Sequence, residues 1–383
     1  MNKLIVVGTA IALFAMCGCG KQSLDRIVVQ ESIPKEEAPV KKKIESHEIV
    51  EATKEESPAT ATSWQLVQKD QPWMEHLWGV AVVGNNPGYI LLRSNSGIFL
   101  SMDGGSSWNP ASNGLKDKRV REFVSNPGNA RIAFGGTGKG LYKTVDGGLN
   151  WHLSGKGLPS PHTLAALWMN PDNPQHLLVF DDYLYQSTDG GETWQRKGTR
   201  PEDKYVHIMA ADPTKPDIIL AGTRDKRFSL YRSLDGGVTW ETQLQGFTPK
   251  QGNVSVIVTD AKTPGTVYVG TGYDGVYKSV DYGVTWSAVN TGLTNSNVMC
   301  LIVHPVIPNR IYAGTHAGVF QSRDGGASWS CMGFEKFNVS SLAFSHTHPP
   351  RLYAAVHSSV LSHIIGDTAV SKSSNALYRV EQP

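Results

Sequence analysis

One eight-residue pattern constrains this chain more than any other feature. Ser/Thr-x-Asp-x-Gly-x-x-Trp occurs six times, at residues 101–108, 144–151, 187–194, 233–240, 279–286 and 322–329. Five copies read Asp-Gly-Gly, and the fifth carries Tyr282 where the others have their first glycine. The tryptophans step by 43, 43, 46, 46 and 43 residues, and 44 residues back from Trp108 stands Trp64, stripped of the rest of the motif. A period of roughly 40–50 residues that holds several short strands is the signature of propeller blades or a solenoid, not of a chain built around one catalytic nucleus.

Residues 117–155 show what one period contains. Residues 121–125 alternate, Asn126-Pro127-Gly128-Asn129 turns the chain, 131–135 form a second strand and 137–140 a second turn. A third strand at 141–144, a third turn at Asp146-Gly147-Gly148 and a short fourth strand at 151–153 complete the period. Four antiparallel strands per repeat make a propeller blade. The motif has the chemistry of a turn: glycine supplies positive φ, and aspartate accepts hydrogen bonds from nearby backbone N–H groups. Each tryptophan buries about 150–250 Å², a gross gain of about 4–6 kcal/mol at ~25 cal/mol per Å². Asp103, Asp146, Asp189, Asp235, Asp281 and Asp324, with Trp108, Trp151, Trp194, Trp240, Trp286 and Trp329, are therefore expected to be structural staples rather than catalytic groups.

Sets of three strands begin after about residues 75, 117, 160, 203, 252, 295 and 338, which makes seven. The last set, 339 to about 364, has no motif behind it, because Gly366-Asp367-Thr368 leads to no tryptophan. Residues 64–68 are therefore expected to supply the fourth strand of the last blade and close the ring, with 376–380 as the rival closing strand. Closure removes the exposed edges of an all-β chain. The expectation is an all-β, seven-bladed propeller over residues 62–383.

The motif resembles the Asp-box, or bacterial neuraminidase repeat, of sialidases, xyloglucanase-type glycoside hydrolases, sortilin and the photosystem II assembly-factor-like propellers. The resemblance covers the chain from about residue 63 onward, and it implies that the box joins the third and fourth strands, away from the face that carries function. The opposite face is built from second-to-third turns and inter-blade loops. Its candidate binding residues are Trp73, Trp78, Lys139, Asp181, Asp182, Arg224, Asp225, Arg227, Tyr273, Asp274 and His316. Glu75, His76, Arg119, His162, Lys197, Arg200 and Lys204 surround them in the loops. Sialidase chemistry, as the resemblance implies it, needs an arginine triad, a tyrosine nucleophile and an Arg-Ile-Pro tripeptide, and that tripeptide is absent. Xyloglucanase-like hydrolysis would draw two carboxylates from Asp181 or Asp182 and Asp225 or Asp274. Those enzymes pair two propellers, whereas this chain offers one.

Other features narrow the function further. Lys and Arg total 36 against 34 Asp and Glu, which leaves no basic field to steer the chain to nucleic acid. The glycine-rich run 135–140 joins two strands and opens no helix, so it is no phosphate cradle. His346 and His348 lack an evident third ligand, so no metal and no cofactor is expected. Cys300 and Cys331 fall in the first and last strands of one blade, about 14 Å apart at ~4.8 Å per strand. That exceeds disulfide reach, and both should be free thiols.

The chain starts Met-Asn-Lys and continues with an apolar run over 4–16, too short to span a bilayer comfortably and typical of an export signal. It ends in Cys17-Gly18-Cys19-Gly20, which resembles the lipobox of bacterial lipoproteins, with Cys19 or Cys17 as the lipidated residue. Residues 1–19 are thus expected to be a lipoprotein signal. Residues 20–61, rich in Glu, Lys, Pro and Ser and without an aromatic residue, should form a disordered tether. The resemblance implies anchoring in a bacterial envelope, at the outer membrane if the cell is Gram-negative, with the domain in the periplasm or at the cell surface. Together these readings predict a non-enzymatic, membrane-anchored scaffold that binds an envelope protein. The alternative is a glycan-binding protein or glycoside hydrolase.

Overall fold

A computed structural model describes residues 64–69, 71–74, 76–83, 86, 88–159, 164, 166–223, 230–242, 244–250, 253–345, 349–359 and 373–381. The chain divides into units 1–55 and 56–383, and every described residue lies in the second. The signal, the tether, Cys17 and Cys19 lie outside the described residues.

Seven antiparallel sheets succeed one another along the unit, each with its first strand innermost, and make a seven-bladed β-propeller. Blade 1 comprises Gly79–Val82, Ile90–Ser94, Gly97–Ser101 and Asn109–Pro110. Blade 2 comprises Val120–Ser125, Ala133–Thr137, Gly140–Thr144 and His152–Leu153, and blade 3 comprises Ala166–Met169, Leu177–Phe180, Leu184–Ser187 and Gln195–Gly198. Blade 4 has Val206–Ala211, Ile219–Thr223 and Leu230–Ser233. Blade 5 has Val254–Thr259, Val267–Thr271, Val276–Ser279 and Ser287–Ala288, and blade 6 has Val298–Val303, Ile311–Thr315, Gly318–Ser322 and Ser330–Gly333. Blade 7 runs Asn338–Phe344, Arg351–Ser359, Ser373–Glu381 and then Gln65–Lys69.

The ring closes by joining the two ends of the domain. Gln65 pairs with Arg379 and Lys69 with Ala376, so residues 64–68 do contribute the outermost strand. The rival segment 376–380 is also used, as the third strand. The third strand of blade 7 therefore comes from Ser373–Glu381 and not from the 339–364 stretch. His357 to Ser359 continue the second strand and pair with Asn375 to Ser373. Trp64 sits where the motif tryptophan would, its Nε1 donating to Met332 O of blade 6 at 2.9 Å, as Trp329 donates to Val289 O of blade 5 at 2.7 Å.

Blade 4 departs from the four-strand expectation. Its fourth strand shrinks to one bridge between Arg232 and Glu241, with the Arg232 guanidinium turned to Glu241 at 3.0 Å and to Tyr282 O of blade 5 at 2.8 Å. In blade 2 the second strand starts two residues later than its pattern suggests. Asn126 N–H is satisfied by Ile132 O, which keeps 127–132 in the turn.

Apolar clusters fill the spaces between neighbouring sheets: Phe134 and Leu141 of blade 2, for instance, pack with Leu177, Val179 and Trp194 of blade 3. The inner strands of blades 2, 4, 5, 6 and 7 each carry a bulge near their start. A bulge re-aims one side chain, and here it becomes a latch to the next blade. His207 Nε2 meets Val254 O at 2.7 Å, Ser255 Oγ donates to Val298 O at 2.5 Å, and Ser340 Oγ donates to Leu77 O at 2.7 Å. Between blades 1 and 2 the seam is filled by Arg93, whose guanidinium donates to Val120 O at 3.2 Å, to Trp78 O at 3.3 Å and to Arg121 O. Burial lowers its pKa, with Glu122 working in the opposite direction. A cavity of about 130 Å³ beside it is lined by Gly79, Val80, Leu92, Arg93, Phe123 and Ser341, with no carboxylate among its lining residues.

The first-to-second turns share a capping device. Asn126 Oδ1 accepts Gly128 N–H, Asn170 Oδ1 accepts Asp172 and Asn173 N–H, and Asp212 Oδ1 accepts Thr214 and Lys215 N–H, all at 2.9–3.1 Å. In blade 6 the place is taken by buried His304, whose Nδ1 accepts Val306 N–H at 3.1 Å and Ile307 N–H at 2.9 Å. The imidazole must be neutral to accept, and burial, helped by Arg310, lowers its pKa to about 4. A group whose folded pKa lies below its unfolded value, 6.5, contributes stability that is lost as pH falls through that window. His304→Asn restores an acceptor that does not titrate. It is expected to lessen the loss of urea resistance between pH 7 and pH 4.5, and an identical loss in the variant would show that this histidine is not coupled to folding.

Candidate functional site

The antiparallel blades place first-to-second and third-to-fourth connections at one end of the domain. Second-to-third turns and inter-blade loops lie at the other.

At the first end, each motif folds the same way. The Ser101 hydroxyl donates to Asp103 Oδ1 at 2.8 Å and accepts Gly105 N–H at 2.7 Å, while Asp103 Oδ1 accepts Ser107 N–H at 2.9 Å and Oδ2 takes the Ser107 hydroxyl. Thr193, Thr239, Thr285 and Ser328 repeat that last bond to Asp189, Asp235, Asp281 and Asp324, and Asn150 gives its amide to Asp146. The hydroxyl or amide directly before each tryptophan is a recurring part of the motif that the eight-residue reading left unassigned. These bonds, led by the hydroxyl before the tryptophan, hold Asp103, Asp189, Asp235 and Asp324 down at about 2. In Asp146 and Asp281 partial burial works upward but is outweighed by the same bonds, and Asp146 also lies at about 2. A carboxylate so held is a fixed charged acceptor with no proton to give near neutral pH.

The turn is also bolted to its own blade. The residue after the motif aspartate donates to the first-to-second turn: Gly104 to Gly88 O, Gly147 to Arg131 O, Gly190 to Gln175 O, Gly236 to Asp217 O, Tyr282 to Gly265 O and Gly325 to Asn309 O, at 2.8–3.1 Å. Positive φ is required there, 61° even for Tyr282. The tryptophans differ in burial. Trp151, Trp194, Trp286 and Trp329 are buried, whereas Trp108 and Trp240 are half-buried.

A second repeated device went unread in the sequence. Six residues after four of the tryptophans stands a glycine followed by a large apolar residue: Gly114-Leu115, Gly157-Leu158, Gly246-Phe247 and Gly292-Leu293. Each has φ between 80° and 97°. A Cβ there would lie 2.0–2.2 Å from the backbone oxygen of the next motif tryptophan. The preceding residue's carbonyl accepts that tryptophan's N–H at 2.8–2.9 Å, so the pair stitches neighbouring blades.

At the other end lie the candidate binding residues. Trp78 is exposed, donates Nε1 to Asn95 Oδ1 at 2.7 Å and stacks on His76 at 6.0 Å. Tyr273 is 59% exposed. Beside it Asp274 has its carboxylate on Lys250 N–H at 2.6 Å. Asp182 pairs with Arg200 at 3.5 Å, and Arg196 lies 3.5 Å from the centre of the Tyr183 ring. Asp181 stands one residue away, its N–H on Tyr183 O. Lys139 is exposed in its turn, with its N–H on Thr137 Oγ1. His316 meets Met299 Sδ at 3.0 Å. Trp73 is half-buried, stacked on Phe99 at 4.2 Å and against Trp108 at 5.8 Å, as part of the blade 1 core. Arg224, Asp225, Arg227, Glu75, His162, His346 and His348 lie outside the described residues. Cys300 and Cys331 are free thiols, and burial pushes Cys300 up to about 12.

Sequence reading missed Tyr205 and Phe337, which join Trp78, Tyr183 and Tyr273. Every exposed Trp, Tyr and Phe among the described residues lies on this face. Exposed Met102, Val145, Leu149, Leu234, Val238, Val280, Val284 and Val306 all lie on the motif face. The exposed aromatics thus gather at one end of the propeller and the exposed aliphatics of the turns at the other, while Leu66 and Leu153 are exposed on outermost strands.

Fold and surface together define a single closed seven-bladed propeller with one aromatic, polar face. No protein-family model matches the chain, and no curated protein matches it in sequence. Solved structures do share the fold. A structure described as YCF48 bound to D1 peptide superposes with a TM-score of 0.60 at 16% identity, over 85% of this chain and 98% of that one. YCF48 from Cyanidioschyzon merolae gives 0.56 at 14% identity, over 84% and 99%. The GH74 xyloglucanase of Xanthomonas campestris gives 0.59 at 15% identity, over 77% of this chain and 53% of the enzyme, so this chain spans about half of that protein.

Proposed function

We propose that this chain is an exported Asp-box propeller, lipid-anchored to the bacterial envelope through Cys19 or Cys17, that binds a partner protein on the face opposite its Asp-turns. The sorting of the exposed aromatics carries the reading. Trp78, Tyr183, Tyr205, Tyr273 and Phe337 come from five separate loops, yet all stand on one face. Tyrosine and tryptophan supply contact area at low entropic cost and dominate protein interfaces. The polar groups among them, Asp182 with Arg200 and Asp274 with Lys250, are already partnered and give orientation rather than chemistry. Catalysis by hydrolysis wants a carboxyl that holds a proton near neutrality. The Asp-turn carboxylates, all held below the usual carboxylate range, are not such groups. The likeness to a propeller solved with a peptide fits the same reading.

The alternative partner is a glycan, stacked on Trp78 and Tyr273. Affinity capture from detergent-extracted native envelope, run beside a glycan array, separates the two. Replacing Trp78, Tyr273 and Phe337 together by alanine is expected to reduce capture of the specific partner at least tenfold. Undiminished protein capture by that variant, or binding confined to glycans with measurable turnover, would contradict the proposal.

A further inference from the structure

The motif face of blades 4 and 5 is built differently from a solvated turn surface. Leu234 and Val238 on one Asp-turn, and Val280 and Val284 on the next, are 51%, 57%, 65% and 43% exposed. They occupy the same two motif positions in two neighbouring blades, positions that carry Val145 and Leu149 in blade 2 but Thr188 and Glu192 in blade 3. Polar residues serve equally well in that turn, so the aliphatic choice is not dictated by folding. Lys215 and Lys262 stand exposed on the adjoining first-to-second turns. Tyr282 supplies a second signal. It holds φ 61° where the other copies have glycine, and its ring lies under Lys215 Nζ at 4.2 Å. A tyrosine kept in a conformation that glycine adopts without strain asks for a role beyond the turn.

The chain also enters the domain at this end. The outermost strand of blade 7 begins at Gln65, opposite Arg379, and the third strand ends at Glu381, opposite Arg351. Both lie at the motif end, in the gap where a seventh Asp-turn would stand. The chain therefore enters the domain on this face, downstream in sequence of the apolar run at 4–16 and the Cys17/Cys19 pair. The apolar tips have Lys215, Lys262 and Tyr282 beside them, and the neighbouring carboxylates are taken up locally, Asp235 and Asp281 by their own turns and Asp217 by Lys197. Such a surface suits a deformable, anionic apolar phase better than a rigid protein groove.

We infer that the Asp-turn face of blades 4 and 5 docks directly on an anionic phospholipid bilayer, with Leu234, Val238, Val280 and Val284 inserted at the headgroup level and Lys215 and Lys262 on the lipid phosphates. The inference rests on the envelope reading for its biological setting and fixes the propeller's orientation: the aromatic face points away from the membrane. The ring closes within the compact unit 56–383, so that unit can be tested without signal or anchor.

Residues 56–383 should co-float with phosphatidylglycerol/phosphatidylethanolamine vesicles at moderate salt. Combined Val280→Ser, Val284→Ser, Leu234→Ser and Val238→Ser should lower the partition coefficient at least tenfold while the urea midpoint stays unchanged, because all four side chains already face solvent. Lys215→Ala with Lys262→Ala should weaken binding to anionic vesicles and leave the residual binding to phosphatidylcholine vesicles alone. Replacing Trp78, Tyr273 and Phe337 should not alter flotation, so failure of the partner-binding reading and failure of this one are distinguishable. Absence of flotation, equal flotation of the serine variant, or concentration-dependent dimerisation abolished by the same serines would overturn the inference.

Discussion

Gly157→Ala is expected to destabilise the propeller by about 2–5 kcal/mol in urea unfolding, out of proportion to the single methyl group added. Gly157 has φ 97°, and a Cβ there would lie 2.0 Å from Trp194 O. A left-handed backbone costs an L-residue about 1–2 kcal/mol, and shifting packed backbone to relieve an overlap costs about 1–3 kcal/mol more. The atom in the way is a backbone carbonyl of the next blade, which cannot swing aside as a lysine tail would. Gly155→Ala is the control two residues away. Nothing lies within 4 Å of its Cβ, so that variant should be neutral or slightly more stable. Equal effects at 155 and 157 would mean that the blades are not stitched at this glycine.

Trp151→Ala is expected to cost about 3–5 kcal/mol, the range for deleting a large buried aromatic. Its indole is 1% exposed and donates Nε1 to Ala111 O at 2.8 Å and to Gly148 O at 3.1 Å. The ring fills the space between blades 1 and 2, and its removal would leave both acceptors and a cavity. Trp240→Ala should cost distinctly less. That residue is half-buried, with one bond to Thr199 O at 3.1 Å, in the blade whose fourth strand is reduced to a bridge. Comparing chemical denaturation midpoints of the two variants checks the gradation, and a larger loss at Trp240 would reverse the packing account.

The propeller was legible because its strongest signal is periodic. Six copies of one turn set the blade count, and Trp64, carrying nothing else of the motif, marked the closing strand by distance alone. What escaped was what periodicity does not encode. The third strand of blade 7 begins Ser373-Ser374-Asn375, a polar start that follows no turn motif, and its pairing depends on the ring being closed by residues hundreds of positions away. The glycine stitch recurs in four blades with a fixed offset from tryptophan. Its meaning lies in a contact between blades that a single repeat cannot display.

The binding face was harder for the same reason. Position in a loop can be read from the period, but whether a loop side chain points outward cannot. Trp73 and Trp78 are five residues apart in one inter-blade loop, yet the first stacks into the blade 1 core on Phe99 and the second stands in solvent beside His76. Phe337 and Tyr205 emerged as exposed only once the turns around them were placed. The gathering of the exposed aromatics on one face, on which the binding proposal depends, is a property of the assembled ring.

The claim at the centre of this account is that the propeller meets its protein partner through the face opposite the Asp-turns. Site-specific photo-crosslinking in intact cells tests it most directly, with a photoreactive side chain placed at Tyr273, at Phe337 or, on the motif face, at Val280. Discrete protein adducts from positions 273 and 337, and none from 280, are the result this account predicts. Protein adducts formed from 280 while 273 and 337 stay silent would contradict it.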